Sequence, residues 1–284
     1  MILIILAVIF IVYVFIYYNN HAVKLTRHSY HKKIPQGFVG FKILQISDLH
    51  ADFTLGKAKS MLHIIDRVKP DLIVVTGDSV DNIHIHKKQE VFDFLDLLNK
   101  QYQMLMITGN HEYMHRECYE ALLEMEERGL VFLHDASMEI QRGDDKILIY
   151  GLDDPYAVYG QNVPEKYQTP REEFSEIIRN KVGSNKNEDI LMILLSHRPE
   201  FFEEYCETRA DIVFTGHAHG GQWRFLPIIK GIIAPDQGMF PKYTEGKYEK
   251  EGTTMYVSRG LGNSVVPLRL FNRPELVLVT LGKR

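Results

Sequence analysis

Short runs of apolar residues alternate with amphipathic stretches along most of the chain. Apolar runs bounded by Gly, Asp or Asn predict strands that are buried on both faces. Apolar positions that recur at helical spacing predict helices packed on such strands. The predicted strands are Lys42–Ser47, Leu72–Thr76, Met104–Thr108, Ile147–Tyr150, Leu191–Ser196 and Ile212–Thr215, and the predicted helices are 55–69, Lys87–Lys100, Glu117–Arg128, 171–182 and 200–208.

This alternation of strands and helices predicts an α/β fold with mainly parallel strand pairing. The pattern changes near the C-terminus, where Thr253–Ser258 and Glu275–Leu281 are predicted strands with little helix between them. We therefore expect a second sheet, packed on the first. No linker rich in Pro, Gly or Ser interrupts residues 41–284, so we predict one domain there. The chain of 284 residues, 45% of them hydrophobic, is long enough to bury such a core.

The N-terminus carries an apolar segment without a single charge, Ile2–Tyr18. As a helix it is just long enough to span the hydrocarbon core of a bilayer, about 30 Å. A cleaved signal peptide would have a basic start and a small-x-small cleavage site, which residues 19–22 do not supply. A buried core helix would show polar residues at helical spacing. We predict an uncleaved transmembrane anchor over 1–20 and a polar connector over 21–40.

The distribution of charge gives limited information about the membrane side of the domain and about its partners. Four basic residues follow the apolar segment, and the positive-inside rule then weakly favours a domain on the cytoplasmic side of the cell membrane. They are Lys24, Arg27, Lys32 and Lys33. The net charge of −4 gives no electrostatic support for a nucleic-acid partner. The two cysteines, Cys118 and Cys206, are expected to be small buried residues rather than a disulfide framework.

Five of the predicted strands are each followed by Asp, Asn or His. The segments are Asp48-Leu49-His50, Gly77-Asp78, Gly109-Asn110-His111-Glu112, His197 and Gly216-His217-Ala218-His219. The carboxyl ends of parallel strands meet at one edge of a sheet, which is where ligand sites form. Ionised groups buried there cost several kcal/mol unless they are compensated. Arg198 is the clearest nearby basic residue, so we expect divalent cations to supply the positive charge.

The residue types narrow the choice of metal. Mixed ligation by Asp, His and Asn suits Mn, Fe or Zn. Asp48 and His50 are two positions apart, so in an extended segment their side chains would point the same way, and His217 and His219 repeat the spacing. The glycines that precede Asp78, Asn110 and His217 are expected to allow tight turns and close backbone approach.

In residues and in order, these segments resemble the motifs of the calcineurin-like metallophosphoesterase superfamily. Longer strings resemble its bacterial membrane-associated branch, of the GHxHGGQ type, whose members often carry an N-terminal hydrophobic segment. These strings are Gly216-His217-Ala218-His219-Gly220-Gly221-Gln222, Ala234-Pro235-Asp236-Gln237-Gly238 and Ser258-Arg259-Gly260-Leu261-Gly262. The resemblance covers roughly Phe41 to Leu281.

The resemblance implies a fold of two facing β-sheets flanked by helices, and a pair of divalent cations that assist phosphoester hydrolysis. One cation would be held by Asp48, His50 and His219 and the other by Asn110, His197 and His217, with Asp78 bridging both. His111 would be no ligand. It would lie beside the scissile phosphate, where it could stabilise phosphoryl charge or protonate the leaving oxygen.

The resemblance also bears on the substrate. A phosphomonoester, a phosphodiester or a pyrophosphate would fit, and the branch includes enzymes that act on nucleotide-linked glycolipid pyrophosphates. With a membrane anchor, a lipid or envelope substrate is expected. The alternative is a non-catalytic scaffold or metal sensor that retains the fold, and such a protein would be expected to have lost ligands or His111.

Other polar residues have weaker claims to a role. Asp81, Glu112 and Asp153-Asp154 could orient the imidazoles, although acidic residues in loops are usually just solvated. Three arginines could grip a substrate phosphate, or could serve surface or structural pairing; they are Arg198, Arg259 and Arg269.

Two further stretches are ambiguous. His84-Ile85-His86 repeats the spacing of the candidate ligands, but it follows no apolar strand, so we predict that it binds no metal. Residues 225–248 carry aromatic residues and lysines without clear periodicity. They would form a substrate-facing or membrane-facing loop, or only a long connection.

Overall fold

The computed structural model describes residues 1–52, 54–159, 170–183, 190–225, 229–263 and 268–282. Its helices are α1 (Ile2–His21), α2 (Leu55–Val68), α3 (Lys88–Asn99), α4 (His111–Met114), α5 (Arg116–Glu127), α6 (Arg171–Val182) and α7 (Phe202–Cys206). Its strands are β1 (Lys24–Tyr30), β2 (Lys42–Ile46), β3 (Leu72–Thr76), β4 (Met104–Ile107), β5 (Ala136–Arg142), β6 (Asp145–Gly151), β7 (Leu191–Leu195), β8 (Ile212–Thr215), β9 (Ile233–Ala234), β10 (Gly238–Met239), β11 (Gly246–Lys250), β12 (Thr253–Val257) and β13 (Glu275–Leu281).

Most of these strands lie in two sheets. The first has the order β1-β13-β2-β3-β4 and the second β11-β12-β8-β7-β6-β5, while β9 and β10 form a small hairpin. Within the two sheets, pairing is parallel except between β2 and β13, β5 and β6, and β11 and β12. Because β2, β3 and β4 run parallel in one sheet and β7 and β8 in the other, each sheet brings its candidate residues to one edge.

The two sheets pack face to face over a shared core. Ile43 and Val74 from the first sheet lie in one cluster with Ile193 and Phe214 from the second. Alternate residues of the same strands point outward and are covered by helices: α2, α3 and α5 on the first sheet, α6 and α7 on the second. The expected fold of two facing sheets flanked by helices is therefore confirmed, and the burial of both faces explains the continuous apolar runs.

The two C-terminal strands divide between the sheets. The sequence led us to expect a separate second sheet at the tail, but β12 pairs with β8 in the second sheet, whereas β13 inserts between β1 and β2 in the first. The expected second sheet packed on the first is confirmed, but the two tail strands do not form it by themselves, because apolar patterning identifies a strand without identifying its neighbour. The edge strand β5 was not predicted, because only Ile140 among its residues is buried and the strand has no apolar run.

Part of the expected connector belongs to the sheet. Within residues 21–40, β1 pairs in parallel with β13 along its whole length, from Lys24 opposite Glu275 to Tyr30 opposite Leu281. Most of its side chains are exposed or half-buried, and most are polar, so the sequence shows no apolar run there. Backbone hydrogen bonding to an otherwise open sheet edge explains why this polar segment is ordered.

The apolar helix α1 stands largely outside the domain. Nearly all of its apolar side chains are exposed, including Leu3 at 81% and Phe10 at 65%. It is long and apolar enough to cross a membrane. Only its C-terminal end is docked, because the buried Asn20 side chain accepts from the Arg269 amide at 2.8 Å and donates to the Arg269 carbonyl at 3.3 Å.

His134, in the loop after α5, contacts acidic residues of two different elements. His134 Nε2 lies 2.9 Å from Glu126 Oε1 on α5, and its Nδ1 lies 2.9 Å from Asp153 Oδ1, just beyond β6. The hydrogen bond with Asp153 outweighs partial burial and raises the pKa of His134 to about 9. A raised histidine pKa adds stability that is complete below the unfolded value, near 6.5, and is lost as pH rises through about 9.

Raising the pH from 6.5 to 10 is therefore expected to weaken the contacts of His134 with Glu126 and Asp153, and so to lower the free energy of unfolding. Because the His134 side chain is 36% exposed and its ion pairs are screened by solvent, we expect a loss of at most about 1 kcal/mol, or about 2–4 °C in the unfolding midpoint. Thermal unfolding of the wild type and His134→Gln should converge across this window, while the exposed His63→Gln parallels the wild type. Equal pH slopes for wild type and His134→Gln would contradict the assignment.

Candidate metal centre

The loops after five strands converge at the edge where the two sheets meet. β2, β3 and β4 lead into the loops that carry the candidates of the first sheet, and β7 and β8 lead into those of the second. All the predicted metal ligands are buried, and all come together. They are Asp48, His50, Asp78, Asn110, His197, His217 and His219.

Three of them form one potential metal-binding group. His50 Nε2 lies 3.1 Å from His219 Nε2 and 4.0 Å from Asp48 Oδ1, and His219 Nε2 lies 3.5 Å from Asp48 Oδ1. Two imidazole nitrogens and a carboxylate oxygen thus lie within 4.0 Å of one another. This donor set suits a borderline divalent ion.

A second group lies beside the first. His197 Nε2 is 3.1 Å from Asp78 Oδ2 and 3.2 Å from His217 Nδ1. Asp78 Oδ2 is also 3.8 Å from His50 Nε2, so one carboxylate adjoins both groups. Candidate groups for two cations are therefore present, and Asp78 lies between them.

Asn110 and His111 complete the edge. The amide oxygen of Asn110 is buried and has no hydrogen-bond partner among the described residues, whereas its nitrogen donates to Met114 Sδ at 3.3 Å. His111 is half-exposed, and its backbone amide donates to Asp78 Oδ1 at 3.0 Å. Both line a cavity of about 140 Å³ together with Asp78, so His111 faces the space beside the two groups.

The backbone bends sharply at the candidate ligands. Asp48, His50 and Asp78 have φ of 52°, and His217 and His219 have φ of 64° and 46°. The expectation that Asp48 and His50 share a side of an extended segment was therefore wrong; left-handed turns bring their side chains together. Non-glycine residues pay about 1–3 kcal/mol for such conformations, which are concentrated at functional sites.

Glycines allow the loops to touch. A Cβ on Gly109 would lie 2.2 Å from Asp78 Oδ1, and one on Gly216 would lie 2.5 Å from Asp48 Oδ2. At Gly77 the φ of +85° also favours glycine. The expected close backbone approach before Asp78, Asn110 and His217 is confirmed.

The buried carboxylates of the site need a compensating positive charge. Burial raises the pKa of Asp48, while for Asp78 the neighbouring His197 and His111 outweigh burial and hold the pKa well below its usual range. Burial lowers the pKa of His50 to about 3, whereas Asp78 outweighs burial and raises that of His197 to about 10. A proton on His197 thus compensates the buried carboxylates here, a task that a cation would fulfil. Asp48 Oδ2 and the amide oxygen of Asn110 have no hydrogen-bond partner in the part of the chain that the structure describes. The donor set is therefore a good fit for a divalent metal.

The acidic neighbours have divided roles. Asp81 Oδ2 lies 3.6 Å from His50 Nδ1, close to the orienting position that we expected. Glu112 instead accepts from the backbone amides of Asp78, Ser79 and Gly109 at 3.1, 2.7 and 2.8 Å, so it ties the β3 and β4 loops together. Burial raises the pKa of Glu112 to about 7.

Asp153 orients an imidazole, but it is that of His134, which is not among the candidate ligands. Its neighbour Asp154 binds Arg198, with 2.6 Å from Arg198 Nε to Asp154 Oδ2. The prediction that Asp153 orients a metal-binding imidazole was therefore wrong. Loop contacts made between β4, β6 and β7 decide these partners, and no local pattern carries that information.

The three arginines considered for a substrate phosphate are engaged within the fold. Arg198 pairs with Asp154 and Asp236, and Arg259 Nη2 pairs with Glu275 at 2.7 Å. Arg269 donates to backbone carbonyls, including that of Asn272 at 3.3 Å. The structural alternative therefore accounts for their contacts.

Asp236 was overlooked as a residue of the site. Its Oδ2 accepts from His217 Nε2 at 2.8 Å, leaving Nδ1 of that ring directed at His197. Burial alone would raise the pKa of Asp236, but the hydrogen bond from His217 and the charge of Arg198 outweigh it and hold the pKa below its ordinary value. The only signal in the sequence was its place in the Ala234-Pro235-Asp236-Gln237-Gly238 string.

Asp236→Asn should weaken metal binding or turnover by about 10–100-fold, because partners of this kind hold a ligand imidazole in its tautomer and orientation. Metal stoichiometry, metal affinity and turnover of the purified protein are the measurements. The exposed Asp144→Asn removes the same charge away from the site and should match the wild type. Unchanged affinity and turnover in Asp236→Asn would exclude the role.

Comparison with known proteins agrees with this geometry. The family model described as calcineurin-like phosphoesterase matches residues 41–221, the region from before β2 to the loop after β8. The chain belongs to the calcineurin-like phosphoesterase family. Its members are phosphoester hydrolases that typically bind two divalent metals, so the chain is placed in that enzyme class. The two candidate metal-binding groups that adjoin Asp78 fall within the matched residues.

Individual members of the calcineurin-like phosphoesterase family align over most of the chain. Metallophosphoesterase YkuE of Bacillus subtilis (strain 168) is 34% identical over 272 residues, 93% of this chain and 87% of that protein. UDP-2,3-diacylglucosamine pyrophosphatase LpxG of Chlamydia muridarum is 25% identical, over 90% of this chain and 88% of that one. The solved structure of Haemophilus influenzae NAD nucleotidase (NadN) has a TM-score of 0.52 at 16% identity, over 78% of this chain and 46% of that one, which supports the fold.

Proposed function

We propose that this protein is a membrane-anchored hydrolase that uses two divalent cations to cleave a phosphodiester, pyrophosphate or phosphomonoester bond in a lipid-linked substrate. The observation that carries the proposal is the position of Asp78 between two groups of metal-binding side chains, with His111 facing the same cavity. A metal sensor or scaffold would have no use for that histidine.

The residues divide into ligands and a proton donor. Asp48, His50 and His219 would hold one cation, Asn110, His197 and His217 the other, and Asp78 both. When bound, two such cations neutralise phosphoryl oxygens and make water a better nucleophile near neutral pH. His111, half-exposed beside them, would stabilise phosphoryl charge or protonate the leaving oxygen.

The membrane part of the proposal rests on α1 and on one relative. Exposed apolar side chains along a helix of this length are stable in a bilayer and unfavourable in water. LpxG is named as a pyrophosphatase of UDP-2,3-diacylglucosamine, an acylated sugar nucleotide, and acyl chains favour a bilayer over water. The basic residues after α1, Lys24 among them, support a cytoplasmic domain, which a C-terminal reporter fusion tests.

The full chain, purified in detergent with Mn²⁺, Fe²⁺ or Zn²⁺, should hydrolyse members of a phosphoester panel. The panel would include a chromogenic diester and monoester, a sugar-nucleotide pyrophosphate and its acylated counterpart. We expect the acylated pyrophosphate to have the highest kcat/KM. Preference for the non-acylated form would remove the lipid assignment, and no turnover despite two bound metals would favour the sensor or scaffold.

His111→Ala should lower turnover by about 10²–10⁴-fold with little change in metal content, because a positioned acid contributes that much without being a ligand. Turnover and metal analysis on the same sample are the measurements. His63→Ala, an exposed histidine on α2, is the matched control and should behave as the wild type. Loss of metal from His111→Ala would instead make it a ligand.

A further inference from the structure

A second cavity lies where the anchor helix meets the domain. Its volume is about 600 Å³, within the range of small-molecule sites. The helix contributes Phe15 and Tyr18, and the domain contributes Phe225 and Phe271. Phe271 contacts Phe15 edge-on, with ring centroids 5.1 Å apart. The cavity is thus bounded on one side by the proposed transmembrane segment.

The depth of these aromatic rings follows from helix geometry. The uncharged apolar part of α1 ends at Tyr18 and is just long enough to cross the hydrocarbon core, so Tyr18 lies near the membrane surface. Phe15 is three residues before Tyr18, about 4.5 Å along the axis. Phe271 and Phe225, which are 51% and 46% exposed, therefore face the boundary between headgroups and acyl chains, the depth at which aromatic side chains are favoured.

The cavity is positively charged at its other end. Lys24, Arg259 and Arg273 line it, and none of its described lining residues is acidic. Arg259 is already paired with Glu275. Arg273 donates to the backbone carbonyls of Ala22 and Val23, at 2.8 and 3.2 Å, and its guanidinium lies over the Tyr18 ring, 4.5 Å from the centroid. Among the described residues, neither Arg273 nor Lys24 has a carboxylate partner. The charged groups of Lys24 and Arg273 are thus available to bind an anion.

The cavity wall is continuous with the metal centre. Asn272, between the lining residues Phe271 and Arg273, donates to the His219 carbonyl at 2.7 Å. Next to Arg259, a Cβ on Gly260 would lie 2.8 Å from Asp48 Cβ. A molecule bound in the cavity would therefore touch the segments that support one metal-binding group.

From this combination we propose that the junction cavity binds an anionic glycerophospholipid of the bilayer, with its phosphate on Lys24 and Arg273 and the start of an acyl chain among the aromatic rings. The inference rests on the proposed membrane anchor and is independent of the proposed hydrolysis. Acyl chains match the apolar end, and a phosphate charge matches the basic end. The lipid would hold the domain against the membrane and brace the loop that carries Asn272.

The test uses the full chain in detergent, titrated with phosphatidylglycerol or phosphatidylcholine and followed by native mass spectrometry. The wild type should bind one phosphatidylglycerol at least about tenfold more tightly than phosphatidylcholine. Lys24→Gln/Arg273→Gln should weaken phosphatidylglycerol binding by about 30-fold, from two cations near the phosphate. Lys59→Gln/Arg67→Gln removes the same charge from exposed positions of α2 and should leave it unchanged.

Several results would overturn the proposal: no preference in the wild type, a preference that survives in Lys24→Gln/Arg273→Gln, or an equal loss in the α2 control. Displacement of the lipid by millimolar inorganic phosphate would assign the basic end to free anions instead. Lys24→Gln alone guards against misfolding, because that side chain is exposed, and it should still lower affinity about fivefold. Flotation with phosphatidylcholine vesicles reports the anchor separately, and phosphoesterase turnover reports the metal centre.

Discussion

Asp78→Ala is expected to lower phosphoesterase turnover by about 10³-fold or more and to reduce bound metal from two ions to at most one. The Asp78 carboxylate lies between the two groups, 3.1 Å from His197 Nε2 and 3.8 Å from His50 Nε2. A shared ligand is the one side chain whose loss affects both cations. Metals in such pairs contribute several kcal/mol of charge stabilisation in the transition state, and each 1.36 kcal/mol corresponds to a factor of ten.

Metal analysis and single-substrate kinetics on the same preparation measure this effect. Asp66→Ala, an exposed carboxylate on α2, is the matched control and should retain activity and metal. Asp78→Asn separates charge from shape, because its amide can still accept from the His111 backbone while its bridging charge is lost. Two tightly bound metals in Asp78→Ala would show that this carboxylate does not connect the groups.

Removing the divalent cations with a chelator is expected to lower the midpoint of thermal unfolding by about 5–15 °C and to stop turnover. Buried Asp48 and Asp78 would then lose their compensating charge, while His197 takes up a proton in its place. A cation present at 100 to 1,000 times its dissociation constant adds about 2.7–4.1 kcal/mol, which sets the size of the shift in a chain of this length.

Calorimetry with and without chelator tests this, and Mn²⁺, Fe²⁺ or Zn²⁺ added back in turn should restore the midpoint and identify the metals that fit. The response should be much smaller in Asp78→Ala, which lacks the shared ligand. Metal uptake by the stripped protein should also release protons near neutral pH, because the His197 nitrogen must lose its proton to bind. Identical unfolding curves with and without chelator would contradict a metal centre in this cavity.

The sequence alone determined the strands that form the centre and the residues at their ends. Buried strands have a local signature, since apolar runs need no knowledge of their neighbours, and parallel strands in an α/β fold deliver their carboxyl ends to one edge. Candidates as far apart in the chain as Asp48 and His219 are therefore recognisable without knowledge of any contact, and the structure brings them together. The apolar helix was equally evident, because bilayer thickness translates directly into residue number.

Only the tertiary structure decided how those ends are shaped and supported. Left-handed turns at Asp48 and His50 replace the extended segment that spacing suggested. The polar segment that became β1 is ordered by pairing with β13, about 250 positions later in the chain. Asp236 reaches His217, and Glu112 binds backbone amides of two loops, through contacts that depend on the packing of the two sheets. A hydrophobic pattern specifies which face of an element is buried but carries no information about its partner, so these contacts follow from the assembled fold.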